Sequence, residues 1–159
     1  MTLISSGNTC RSPTAEYLLR KYAAVKGGTS LKDIEFDSAG LEGGFLGLDP
    51  YAYKFLRSRG VDPSDFRSKK TDREYLDKFD LIVVMEDSMR DEIVGEYYPK
   101  LEGDALDTLK NRIVLFKKLA GEEGDTENPY GMEWYNFKRI MVYIDETCEK
   151  IIEKMSENG

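Results

Sequence analysis

The sequence contains no histidine and only two cysteines, Cys10 and Cys148. Without histidine there is no Ser-His triad and no histidine general base. Two cysteines without metal-type spacing disfavour both a zinc site and a disulfide framework. No apolar run reaches the roughly 18 residues that a membrane-spanning helix needs. Met1-Thr2-Leu3-Ile4 has neither the basic start nor the apolar stretch of a secretory signal, so a cytoplasmic location is expected. Positive charge is also short, with 23 Lys and Arg against 30 Asp and Glu and a net charge of −7. That balance disfavours nucleic acid and anionic membranes as partners, and any phosphate site must be locally positive.

The chain has 159 residues, 40% of them hydrophobic and 33% charged. This suits one domain over residues 1–159 with a real core. Repeats and low-complexity linkers are lacking. Thr2 to Ser5 reads as a strand. Ser12 offers a helix N-cap with Pro13 at the first helical position, and Ala15, Leu18, Leu19 and Tyr22 form one face of that helix up to Gly27-Gly28. Asp33 to Ser38 reads as a second strand, broken by Ala39-Gly40, and Leu41 to Leu48 as a glycine-rich loop. Pro50 opens a helix that stops at Gly60. Leu81 to Met85 is the continuous apolar run of a central parallel strand, with Asp87 or Ser88 capping the helix after it. Arg112 to Phe116 is a fourth strand, and Gly121 to Gly131 a polar loop. The last helix carries Phe137, Ile140, Ile144, Cys148, Ile151 and Met155 along one stripe. The expected fold is α/β, three layers (α/β/α) around a four-stranded parallel sheet.

Ligands of such sheets sit at the carboxyl ends of strands, often at the first strand-helix turn. Ser5-Ser6-Gly7-Asn8-Thr9-Cys10-Arg11-Ser12-Pro13 occupies that place. Successive backbone N–H groups and a helix N-terminus make an anion site there. Gly7 permits the turn, Asn8 tolerates a left-handed conformation, and the planar fork of Arg11 can hold two phosphate oxygens. The phosphate-binding residues are thus Ser6, Gly7, Asn8, Thr9, Cys10, Arg11 and Ser12.

Gly7 to Pro13, followed by Ala15-Glu16, resembles the low-molecular-weight protein-tyrosine phosphatases, whose loop is C-x5-R-S-P at the end of the first strand. Ser38-Ala39-Gly40, the helix from Pro50 to Gly60, the strand from Asp80 to Met85 and the late turn Asn128-Pro129-Tyr130 are similar as well, so the resemblance covers nearly the whole chain. It implies hydrolysis of phosphate monoesters on proteins through a phosphocysteine. In that mechanism an aspartate in D-P-[YF] protonates the leaving oxygen and then activates water, while the arginine and loop amides stabilise charge. The resemblance implies no metal or organic cofactor.

Two residues depart from this pattern. Counting back from Arg11 places the nucleophile at residue 5, which is Ser5, a far weaker acid than a thiol and without a histidine base. The general-acid position is Asn128, whose amide cannot relay a proton. Asn-Pro is also a common start of a plain turn. Cys10 does not fit the nucleophile position and reads as a small buried residue behind the loop. The paired exchange reads as the disabling of a working phosphatase, an engineered inactive form. The alternative is a natural pseudophosphatase that binds phosphorylated partners without turnover.

By the same resemblance, Ser38 supports Asn8, and Tyr130 forms an aromatic substrate wall with Phe45 or Leu48 opposite. Phosphotyrosine on a protein or peptide is the implied ligand. Thr9 resembles the protein-arginine phosphatase branch, which leaves phosphoarginine as the alternative. Arsenate reductases share the loop but need two further cysteines, and only Cys148 lies downstream.

Overall fold

Thr2–Ser5 forms strand β1 in the interior of the sheet, and all four of its residues are buried. Leu3 and Ile4 supply apolar side chains to its two faces, as a strand covered on both sides requires. β2 (Asp37–Gly40) pairs with β1 from Thr2↔Asp37 to Ser5↔Gly40. β3 (Ile82–Val84) pairs with the other edge of β1, and β4 (Ile113–Leu115) with β3. All pairings are parallel and the strand order is β2-β1-β3-β4. The structure is a computed structural model and describes residues 1–43 and 46–157.

The chain steps from β1 to β2 in one direction and from β3 to β4 in the other. Right-handed crossovers then put the connecting helices on opposite faces, giving three layers. Helix α1 (Arg11–Lys26) makes the first crossover and packs on β1, β2, α2 (Pro50–Ser58) and α7 (Trp134–Glu157). Asp49 caps α2 by accepting from the Tyr51 amide at 2.8 Å, with Pro50 at the first helical position. The stripe on α7 turns inward, with Phe137, Ile140, Ile144, Cys148 and Ile151 buried and Met155 half-buried. Among the described residues no helix is long and apolar enough to cross a membrane.

Three local expectations are corrected. The second strand is Asp37–Gly40 rather than Asp33 to Ser38. Ala39 and Gly40 do not break it, because Gly40 is its closest approach to the loop after β1. A Cβ on Gly40 would lie 2.9 Å from both the Ser6 oxygen and the Gly7 carbonyl carbon. Ser12 does not cap α1. That helix begins at Arg11 without a side-chain cap, and the Ser12 hydroxyl is engaged inside the loop. The Asp87 side chain likewise makes no cap for α4 (Ser88–Tyr97) and binds Arg90 at 2.8 Å instead. The short helices α3 (Arg73–Asp77) and α6 (Phe116–Leu119) and the polar α5 (Gly103–Arg112) carry too few apolar positions for periodicity to reveal them.

Candidate active site

The loop from Ser6 to Cys10 is held from outside by its carbonyls. The Ser5 oxygen accepts from the Leu41 amide at 3.0 Å, Ser6 from Glu42 at 2.8 Å and Thr9 from Asp49 at 2.9 Å. The Asn8 oxygen accepts from the Ser68 hydroxyl at 2.8 Å. With its carbonyls turned outward, the loop turns its N–H groups inward. Among the described residues, none of the amides of residues 6–12 donates to a protein acceptor. Seven amides around the N-terminus of α1 are thus without a protein acceptor among the described residues.

Asn8 fixes this shape. It is fully buried and adopts φ 56°, the left-handed region that asparagine tolerates better than most residues. Its Nδ2 donates to Ser12 Oγ at 3.0 Å and to Ser38 Oγ at 2.9 Å, and its Oδ1 accepts from the Lys69 amide at 3.0 Å. Ser38 Oγ donates in turn to Glu16 Oε1 at 2.6 Å, and Arg20 closes the chain on Glu16 Oε2 at 2.7 Å. Burial pushes the Glu16 carboxyl above its ordinary value, against the pull of Ser38 and Arg20. Glu16 is a support residue that the sequence reading passed over. Its place one turn after Ser12, on the face toward β2, was the available signal.

Ser5 Oγ lies 2.5 Å from Ser12 Oγ. Ser12 Oγ already accepts from Asn8, so its own proton is available for Ser5. Arg11 is buried. Its Nη1 donates to the Thr126 carbonyl at 2.7 Å, and its Nη2 donates to Ser6 Oγ at 3.3 Å and to Glu86 Oε2 at 3.2 Å. Burial pushes the guanidinium down from its ordinary value and Glu86 holds it up. Glu86 also went unread in the sequence, although it directly follows the central strand, at the sheet edge where ligands collect.

Ser5, Ser6, Gly7, Thr9, Cys10, Arg11, Asn128 and Tyr130 line one cavity of about 210 Å³ together with Glu42 and Leu46. Asn8, Ser12 and Ser38 stand behind it, their side chains buried. Asn128 Oδ1 accepts from the Tyr130 amide at 3.2 Å, the geometry of an Asx turn. Tyr130 is 62% exposed at the mouth. Leu48 does not line the cavity. It is half-buried and packs against the core, while Leu46 takes the position on the wall. Phe45 lies outside the described residues. Burial pushes the Cys10 thiol up to about 12, which removes it as a thiolate nucleophile.

The doubly wound parallel sheet, with a buried arginine at the turn after its first strand, defines an α/β protein with its cavity at that turn. The family model for low molecular weight phosphotyrosine protein phosphatase matches residues 1–159, and the chain belongs to that family. A relative from Bacillus subtilis, the low molecular weight protein-tyrosine-phosphatase YfkJ, is 37% identical over 157 residues, covering 95% of this chain and 92% of its own. The crystal structure of a low molecular weight protein tyrosine phosphatase from T. tengcongensis superposes with a TM-score of 0.81 at 32% identity, covering 96% of this chain and 97% of the other. A serine mutant of the YwlE arginine phosphatase, with a phosphorylated active-site serine, shares the fold with a TM-score of 0.82 at 21% identity, covering 99% of this chain and 95% of the other.

Proposed function

We propose that the site receives the phosphoryl group of a phosphorylated protein, phosphotyrosine first, and that Ser5 keeps it from turning over. The observation that carries this reading is that Ser6, Gly7, Thr9, Cys10 and Arg11 line the cavity where Ser5 stands, on a loop whose amides at residues 6–12 have no protein acceptor among the described residues. Donors fixed in this way match a phosphoryl group whose charge is spread over three oxygens, and they need no reorganisation when it arrives. Ser5 has no base among its described partners, since its one side-chain contact is the hydroxyl of Ser12. Asn128 stands at the mouth where the family places its acid, and an amide cannot serve there.

Phosphoarginine is the second reading, supported by Thr9 on the cavity lining and by the arginine phosphatase among the proteins of like fold. In that protein's serine mutant the active-site serine carries phosphate. A single transfer to Ser5 is expected here too when the leaving group is good enough. It would end in a phosphoserine that the chain does not hydrolyse.

The test is the double variant Ser5→Cys/Asn128→Asp with an aryl phosphate, followed by phosphotyrosine and phosphoarginine peptides with and without Thr9→Ile. The double variant is expected to hydrolyse the aryl phosphate through a phosphocysteine trapped by acid quench. A folded double variant with neither hydrolysis nor adduct defeats the reading. The gene then separates the two origins. Cysteine at position 5 and aspartate at 128 in the parent mark an engineered form, and serine and asparagine there mark a natural binder.

A further inference from the structure

We infer that Glu42 is the proton-transfer residue of this site, taking the role that Asn128 cannot perform. The inference rests on the phosphatase reading above and concerns a residue that the family's loop and late turn do not include.

Among the described residues lining the cavity, Glu42 is the only carboxylic acid. The other groups that exchange protons there are poorly placed in energy. The Cys10 thiol is pushed up to about 12 by burial, and hydroxyls are weak acids. The position of Glu42 is fixed by the phosphate loop itself, since its amide donates to the Ser6 carbonyl at 2.8 Å and its neighbour Leu41 donates to Ser5 at 3.0 Å. The carboxyl therefore starts from backbone tied to the loop that would hold the phosphoryl group.

The neighbouring acids are all engaged. Asp49 accepts from the Tyr51 amide, Glu86 holds Arg11, Asp125 accepts from the Asp87 amide, and Glu127 pairs with Arg139. Among the described residues, the Glu42 carboxylate has no ion pair or hydrogen bond, and its residue is exposed at the mouth. Free rotation at the mouth is what a group needs if it is to reach a leaving atom and then a water.

With a thiolate at position 5, the sulfur-phosphorus bond forms and the phosphorus-oxygen bond to the leaving group breaks, while the Glu42 proton passes to the leaving oxygen. Water then adds to phosphorus and its proton passes to the Glu42 carboxylate. The sulfur-phosphorus bond breaks, releasing phosphate and the thiolate. On this assignment the chain lacks only its attacking atom.

The experiment compares Ser5→Cys, Ser5→Cys/Asn128→Asp and Ser5→Cys/Glu42→Gln, with phenyl phosphate as a poor leaving group and 2,4-dinitrophenyl phosphate as a good one. Ser5→Cys alone is expected to hydrolyse phenyl phosphate. Adding Glu42→Gln is expected to slow that reaction by about 10²-fold, the range of a general acid. It should leave the dinitrophenyl burst nearly unchanged. Vanadate binding by the Glu42→Gln form shows that the loop is intact. Equal rates with and without Glu42→Gln overturn the assignment, as does an equal deficit on both substrates. So does a Ser5→Cys protein that stays inert while Ser5→Cys/Asn128→Asp turns over. If the last variant is also inert and forms no phosphocysteine, the phosphatase reading falls, and the role of Glu42 with it.

Discussion

Arg11 Nη2 lies 3.2 Å from Glu86 Oε2, with the arginine side chain 1% exposed and the glutamate 37%. A buried cation thus depends on a half-exposed anion for its compensation. Removing that anion strands the charge until a ligand arrives.

Glu86→Ala is therefore expected to cost about 1–2 kcal/mol of stability, the value of a charged hydrogen bond discounted for the exposed partner. Vanadate should return most of it, because the oxyanion replaces the lost carboxylate beside Arg11. Urea unfolding with and without vanadate reads both effects. Equal stabilisation of the parent and the variant by vanadate would contradict the account.

Gly40→Ala places a methyl group 2.9 Å from the backbone of Ser6 and Gly7, and neither wall is a flexible side chain. The expected cost is about 1–3 kcal/mol of overpacking. Because the displaced atoms belong to the proposed phosphate loop, vanadate affinity should fall by about tenfold or more. Calorimetric titration checks the second effect. A variant that binds as tightly as the parent would show that the strand does not set the loop.

Glu16 gives a pH signature. Burial raises its carboxyl above the ordinary value of 4.5, so the folded protein holds this proton more tightly than the unfolded chain. The stability linked to this group is complete below that value and is lost as the pH rises through the raised folded value. Glu16→Gln abolishes the loss and is expected to be at least as stable as the parent at neutral pH, with the gap closing toward acid. Urea midpoints across that range decide. A variant clearly weaker at neutral pH would mean that the pair with Arg20 outweighs desolvation.

Neither thiol should react in the native state. Burial raises the Cys10 thiol to about 12, and Cys148 is fully buried on α7 with its thiol also raised. Iodoacetamide at neutral pH is expected to leave both unmodified until denaturant is added, as read by mass spectrometry. Rapid native labelling of Cys10 would contradict its burial behind the loop.

The loop, the sheet and the last helix were legible because their signals are local. A strand running into glycine, arginine, serine and proline announces a strand-to-helix turn, and a stripe every third or fourth residue announces α7. Ser12 misled because its residue type favours an N-cap, while the tertiary contacts with Asn8 and Ser5 claimed its hydroxyl instead. Ala39-Gly40 misled for a similar reason. Glycine usually weakens a strand, but here it is the only residue that fits between β2 and the loop. Glu42 and Glu86 carry no motif, and Glu16 stands in the sequence only as the flank of one. The contacts of all three come from strands and segments brought together across the sheet edge.

The side chain of Asn8 makes three hydrogen bonds, to Ser12, Ser38 and Lys69, whereas the side chain of Ser5 makes one, to Ser12. Position 5 is thus a leaf of the network and the asparagine its hub. Exchanging the leaf breaks one contact and leaves the scaffold standing. On the proposed function, the residue meant to react is therefore among the least tied to its surroundings, and exchanging it requires no redesign of the fold.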